Sequence, residues 1–198
     1  MDKDVKEIDK LKHLIILKDY EGISALTFKI NLDELDEVYI SWIMKSNFII
    51  KKNDYNIFFI ERLILSGKEN YEMYVYLFAS LLIIKDYYRI KSNIERSKLL
   101  NSDKVNNILN GEYSPLSVIN NIEDENEYSV LILLLIFDSA FSLGSDIDSE
   151  HMAEHMAICY YEMIDQVYSN MNEKLESGKL EMLELIANVA FSEIIKKS

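Results

Sequence analysis

The segment His151-Met152-Ala153-Glu154-His155 holds the side chains whose types and spacing point most directly to chemistry. His151 and His155 are four residues apart, so a helix would place both imidazoles on the same side. Two imidazoles can bind a zinc ion, and a neighbouring carboxylate, here Glu154, can take a proton from a zinc-bound water. The chemistry of this segment would be metal-dependent hydrolysis.

This H-x-x-E-H pattern resembles the inverzincin metalloprotease motif over five residues. The resemblance implies that His151 and His155 are metal ligands and that Glu154 is the general base. A third ligand is not identifiable from the motif, although Glu181 or Glu184 would be available on the last predicted helix. The resemblance implies a mixed α/β domain, whereas this sequence predicts almost no strand. A helical zinc-dependent hydrolase is therefore kept as an alternative function.

The helical wheel of this region favours a solvated polar face over a catalytic centre. The predicted buried face consists of Ala153, Met156, Tyr160, Ile164, Val167 and Met171. His151, His155 and Glu162 lie on the opposite side, where a zinc site would lack the enclosure and supporting partners that it needs. Cys159 has acidic neighbours, which disfavour a thiolate nucleophile. The main prediction therefore names no catalytic residue, no metal and no cofactor.

Charge is distributed unevenly along the 198 residues, which carry 21 Lys+Arg and 34 Asp+Glu for a net charge of −13. Residues 1–99 contain 16 acidic and 16 basic side chains, whereas residues 100–198 contain 18 acidic and 5 basic ones. No Lys or Arg occurs between Val105 and Glu173. An acidic face without neutralising cations is what a basic protein partner would complement, and such a field speeds association.

These charges predict a non-enzymatic binding protein that neutralises a basic protein partner. Such a protein is similar in character to bacterial immunity proteins, which inhibit toxic nucleases by occupying a basic substrate groove. The net acidity excludes a nucleic-acid ligand. The runner-up among binding functions is a helical-repeat adaptor or regulator. The predicted partner-binding residues are Glu123, Asp124, Glu125, Glu127, Asp146, Asp148, Glu150, Glu154 and Glu162.

Apolar residues recur with helical periodicity along most of the chain, which predicts an all-α fold. We expect a single domain over residues 1–198, an irregular bundle of eight or nine helices. An array of helical hairpins is the alternative, because the five glycines are 45, 44, 33 and 34 residues apart. Each glycine is expected to end a helix. The predicted helices are 4–20, 32–46, 54–66, 70–91, 95–110, 115–122, 125–143, 147–177 and 179–197.

One segment departs from this periodicity, because apolar and polar residues alternate over 26–30 and predict an extended connection.

The single cysteine, Cys159, excludes an intramolecular disulfide. The amino terminus lacks the apolar core of a signal peptide. The longest apolar runs are shorter than the roughly 18–20 residues that span a bilayer. We therefore predict a cytoplasmic protein without a membrane partner.

Overall fold

The computed structural model describes residues 3–101, 103, 106 and 107, and this part of the chain is helical without a strand. The all-α prediction is confirmed for these residues, whereas the count of eight or nine helices extends outside them. Two compact units meet in sequence after Ser80. The helices are α1 (Lys3–Leu17), α2 (Tyr20–Ser24), α3 (Glu37–Ile49), α4 (Asn53–Leu65), α5 (Tyr71–Ile83) and α6 (Tyr87–Arg96), with a 3₁₀ turn at Leu32–Glu34.

Helix α5 is the most deeply buried helix of the described chain. Every residue from Met73 to Ile83 is buried, as expected for a segment that is apolar on all sides. Helix α6 instead buries a single stripe that contains Ile90 and Ile94. No helix of the described residues is both long and apolar enough to cross a membrane.

Four helices end in the same hydrogen-bonded turn, in which the first or second residue after the helix adopts a left-handed conformation. At the end of α3, the Lys51 amide donates to the Phe48 carbonyl at 3.0 Å, and the Lys52 amide donates to the Asn47 carbonyl at 2.8 Å. This pair of bonds defines the Schellman motif, whose left-handed position favours glycine. The left-handed residues and their φ angles are Lys18 (52°), Lys51 (60°), Gly67 (81°) and Lys85 (61°).

The lysine turns explain two of the wrong helix boundaries, whereas the helix predicted over 32–46 begins later, at Glu37, after a 3₁₀ turn. The helix predicted over 4–20 stops at Leu17, and the one predicted over 70–91 is divided after Ile83. Gly67 ends a helix as predicted, whereas Gly22 lies inside α2. The helical spacing of apolar residues continues in the sequence across a Schellman turn. The turn changes the direction of the chain but leaves no break in this spacing. Lysine is also not among the residues that usually occupy the left-handed position after a helix, which favours glycine or asparagine.

The predicted extended connection over 26–30 is wrong, because the segment consists of consecutive tight turns. The Thr27 amide donates to the Ser24 carbonyl at 3.0 Å, and the Ile30 amide donates to the Leu26 carbonyl at 3.1 Å. Leu26, Thr27 and Ile30 are buried while Phe28 is exposed, so the turns bring three of the five side chains to the core without a strand.

The helices recur at a nearly constant interval. Helices α1, α3 and α5 begin at residues 3, 37 and 71, and α2, α4 and α6 begin at residues 20, 53 and 87. We call the three pairs hairpin 1 (3–24), hairpin 2 (37–65) and hairpin 3 (71–96). Residues of hairpin 2 are identical to those 34 positions later at Ser46/Ser80, Ile49/Ile83, Ile50/Ile84, Lys51/Lys85, Ile60/Ile94, Glu61/Glu95 and Arg62/Arg96.

Replacing Lys85 with glycine is expected to stabilise the protein by about 0.5 kcal/mol. The left-handed conformation costs a non-glycine residue roughly 1 kcal/mol, and the greater freedom of glycine in the unfolded chain offsets part of that gain. The change would be measured as the urea midpoint at constant slope. Gly67→Ala is the matched control, since it imposes the same backbone cost where no atom lies within 4 Å of the new Cβ. A lower midpoint for Lys85→Gly would contradict the assignment of strain to this position.

Candidate interaction surface

The residues that the sequence singles out for function lie outside the described residues. This holds for the nine acidic partner-binding residues, and also for His151, His155 and Cys159. Their predicted roles therefore stay predictions. Within the described part, no group of three or more His, Cys, Asp or Glu side chains is arranged to hold a metal ion.

A group of exposed and half-buried aromatic and basic side chains lies on hairpin 2 and on the turn that precedes it. We call this group, which consists of Phe28, Lys52, Tyr55, Phe58 and Arg62, the aromatic-basic surface. Tyr55, Phe58 and Arg62 are spaced by three and four residues, so they share one face of α4. Phe28 is brought to the same face by the tight turns after α2.

The Phe28 ring contacts the other two aromatic rings of this surface. The Phe28 ring lies 4.7 Å from Tyr55 in an edge-to-face arrangement and 5.1 Å from Phe58 in a tilted one, measured between ring centroids. These distances are within the range of favourable aromatic pairs. Nevertheless, Phe28 keeps 49% and Phe58 keeps 46% of its surface exposed. The rings therefore form a preordered platform that still presents apolar area to solvent.

Two cations lie over the rings of the platform. The Lys52 ammonium is 5.5 Å from the centroid of Tyr55, and the Arg62 guanidinium carbon is 5.5 Å from the centroid of Phe58. Both distances fit cation–π interaction, which positions the charge beside the apolar area. Lys52 is also the N-cap residue of α4, yet its side chain makes no capping hydrogen bond. Its position is therefore not explained by helix capping.

Basic residues outnumber acidic ones in α4 and at the positions next to the platform residues in the chain. Lys29 and Lys51 are exposed next to Phe28 and Lys52 in the chain, and the acidic residues of α4 are Asp54 and Glu61. Helix α4 and its two preceding lysines thus carry three cations against two anions, and Lys29 adds a fourth cation. This part of the amino half contrasts with the cation-free stretch of the carboxyl half.

Hairpin 3 provides an internal comparison for this surface. The positions of Tyr55 and Phe58, moved by 34 residues, are occupied by Arg89 and Ser92. The repeated framework therefore does not require aromatic residues there. The surface is not predicted from the sequence. The glycine spacing does not reveal the 34-residue recurrence of the lysine turns, and without that recurrence Tyr55 and Phe58 do not stand out.

A cavity of about 390 Å³ lies where α3 and α5 begin. Its apolar lining includes Leu35, Ile40 and Met73. The Lys68 ammonium at its edge donates to the main-chain carbonyls of Leu32 at 2.8 Å and Leu35 at 3.1 Å. Lys68 thereby links the end of α4 to the 3₁₀ turn.

The other polar groups around this cavity also take part in local structure. Asp36 Oδ1 accepts from the Tyr39 amide at 2.9 Å, and Asn70 Oδ1 accepts from the Met73 amide at 2.9 Å, so both side chains cap helices. Glu69 Oε2 accepts from the Tyr74 hydroxyl at 2.7 Å. The polar rim is thus explained by packing, and we place the candidate interaction surface elsewhere.

Tyr76 of α5 is fully buried. Its ring makes an edge-to-face contact with Phe48, with the two ring centroids 5.8 Å apart. Burial raises the pKa of Tyr76 well above its usual value, and the negative charge of Glu72 raises it further. Glu72 is held by the Ser41 hydroxyl, which donates to it at 2.6 Å. Tyr76 therefore stays neutral and serves as a core residue.

Comparison with known proteins finds no matching family model, and no curated protein or solved structure is significantly similar to the chain.

Proposed function

We propose that this protein is a non-enzymatic binding protein that neutralises a basic protein partner through acidic residues of its carboxyl half. The observation that carries the proposal is the absence of Lys and Arg between Val105 and Glu173, a stretch that contains 13 Asp and Glu residues. In its action the protein would correspond to the bacterial immunity proteins that inhibit toxic nucleases.

Solubility alone does not account for this distribution. A surface of mixed sign keeps a protein soluble while avoiding the self-repulsion that destabilises a compact chain. The amino half of this chain has such a mixture, with 16 acidic and 16 basic side chains. A basic partner supplies the missing cations on binding, which relieves the repulsion and accelerates encounter. A nuclease fits this description, because its substrate groove must attract phosphates.

The test is affinity capture by the full-length chain from a lysate of its source at 50 mM and 300 mM NaCl. We expect one basic protein to be retained at low salt and weakened at high salt. Titration with the purified chain should then abolish that protein's nuclease activity at a 1:1 ratio.

Charge-reversed variants separate the acidic face from a general charge effect. Lysine at Glu123, Asp124, Glu125 and Glu127 should weaken binding at least tenfold, since an interfacial charge pair that loses one partner costs about 2–5 kcal/mol. The matched control places lysine at four exposed acids of the amino half, Glu21, Asp33, Glu34 and Asp54. Equal loss in both variants, or a retained protein that is acidic, would contradict the proposal.

A helical-repeat adaptor is the second candidate, and the regular recurrence of hairpins 1 to 3 favours it. Repeated helical hairpins can build extended surfaces that bind peptides. This function predicts binding that is mainly apolar and changes little between the two salt concentrations. The same capture experiment therefore distinguishes the two candidates.

A further inference from the structure

We infer that the aromatic-basic surface is a docking site for an acidic polypeptide segment that carries an apolar anchor. The site lies in the amino half of the sequence and has the opposite charge preference to the acidic residues of the carboxyl half. It would give the protein a second partner, in addition to the basic protein of the proposed function.

The first argument is that the fold does not need the exposed aromatics. The residue 34 positions after Phe58 is Ser92 of α6, and the residue 33 positions before it is Ala25, which directly follows α2. Helices α2 and α6 nevertheless form at corresponding places in the chain, beginning 33 residues before and 34 residues after the start of α4. Exposed aromatic rings at a position that the framework fills with small residues indicate a contact with another molecule.

The second argument is the chemistry of the surface. Phe28 and Phe58 are about half exposed and already ordered against Tyr55, so an apolar side chain could bury them without loss of rotamer freedom. Lys52 and Arg62 lie beside the rings, where they can meet carboxylates at the edge of an apolar contact. Aromatic residues and arginine are the types that contribute most to binding energy at protein interfaces.

The third argument selects a polypeptide as the occupant. Aromatic rings with cations also suit single-stranded nucleic acid, but a chain of net charge −13 repels a polyphosphate. A short acidic segment carries far less charge and can meet the local cations. Its apolar side chain would cover the part of the ring surface that is exposed to solvent.

The experiment uses a random 16-residue peptide library displayed on phage, selected on the immobilised full-length chain and counter-selected on a Phe58→Ser variant. We expect enriched peptides to combine Asp or Glu with an aromatic or aliphatic residue. Their affinity, measured by fluorescence anisotropy, should fall at least tenfold in Phe58→Ser.

The Lys52→Asp variant distinguishes an effect on peptide docking from an effect on folding. The equivalent position in hairpin 3 is Asp86, whose carboxylate accepts from the Arg89 amide at 3.1 Å and caps α6. Aspartate at position 52 should therefore cap α4 and keep or raise the melting temperature, while weakening the enriched peptide at least tenfold. Val38→Ser, at a residue that is 62% exposed on α3, and Lys10→Asp, on α1, are the matched controls and should bind normally.

Several results would overturn the inference. They are the absence of enrichment, enrichment of basic peptides, and affinities that Phe58→Ser and Lys52→Asp leave unchanged. A 16-nucleotide oligothymidylate that binds the wild type and is lost in both variants would assign the surface to nucleic acid. Self-association by sedimentation velocity that both variants abolish would assign it to a second copy of the chain.

Discussion

Replacing Asn47 with leucine is expected to lower the free energy of unfolding by about 3 kcal/mol, because each buried polar group left without a partner costs about 1–3 kcal/mol. Asn47 Oδ1 accepts from the Ser24 hydroxyl at 2.5 Å, and a 3.2 Å hydrogen bond joins the Asn47 side chain to Thr27 Oγ1. All three side chains are buried, so water cannot replace the lost bonds. The loss would be measured by urea unfolding followed by circular dichroism.

The new side chain is not expected to be too large for this site, since the equivalent position of hairpin 3 is a buried leucine, Leu81. Combining Asn47→Leu with Ser24→Ala and Thr27→Val should restore most of the stability, since no buried hydroxyl then lacks a partner. A triple variant that is less stable than Asn47→Leu alone would show that packing, and not polar satisfaction, governs this joint between hairpins 1 and 2.

Replacing Gly22 with alanine is expected to destabilise the protein by about 2 kcal/mol, which combines loss of a helix cap with overpacking. The added Cβ would lie 2.5 Å from Asp19 Oδ2 and 2.7 Å from Leu14 Cδ2. Asp19 cannot move freely, because its other oxygen caps α2 by accepting from the Gly22 amide at 2.9 Å. The midpoint of thermal unfolding would show the effect.

Glu21→Ala provides the control for this substitution. Glu21 is exposed in the same short helix, and surface changes of this kind usually stay within about 0.5 kcal/mol. A neutral result for Gly22→Ala would mean that Leu14 and Asp19 adjust without cost, and the close approach of α2 to α1 would then not explain the glycine.

The sequence predicted helices well where burial decides them. Helix α4 is predicted over 54–66 and is found at Asn53–Leu65. The first part of the helix predicted over 70–91 forms α5. The turns at Lys18 and Lys85 could not be predicted, because both residues adopt a left-handed conformation for which lysine has no preference. The candidate surface depends on a tertiary contact, since Phe28 reaches Tyr55 and Phe58 only through the turns after α2.

The order of helix contacts also bears on how the chain acquires its structure. In hairpins 1 and 2 the densest contacts join consecutive helices, α1 with α2, α2 with α3 and α3 with α4. Contacts between residues that are close in sequence cost little loop-closure entropy. Proteins that are rich in such contacts fold rapidly. Hairpins 1 and 2 can therefore form progressively as the chain leaves the ribosome, with the amino-terminal contacts made first.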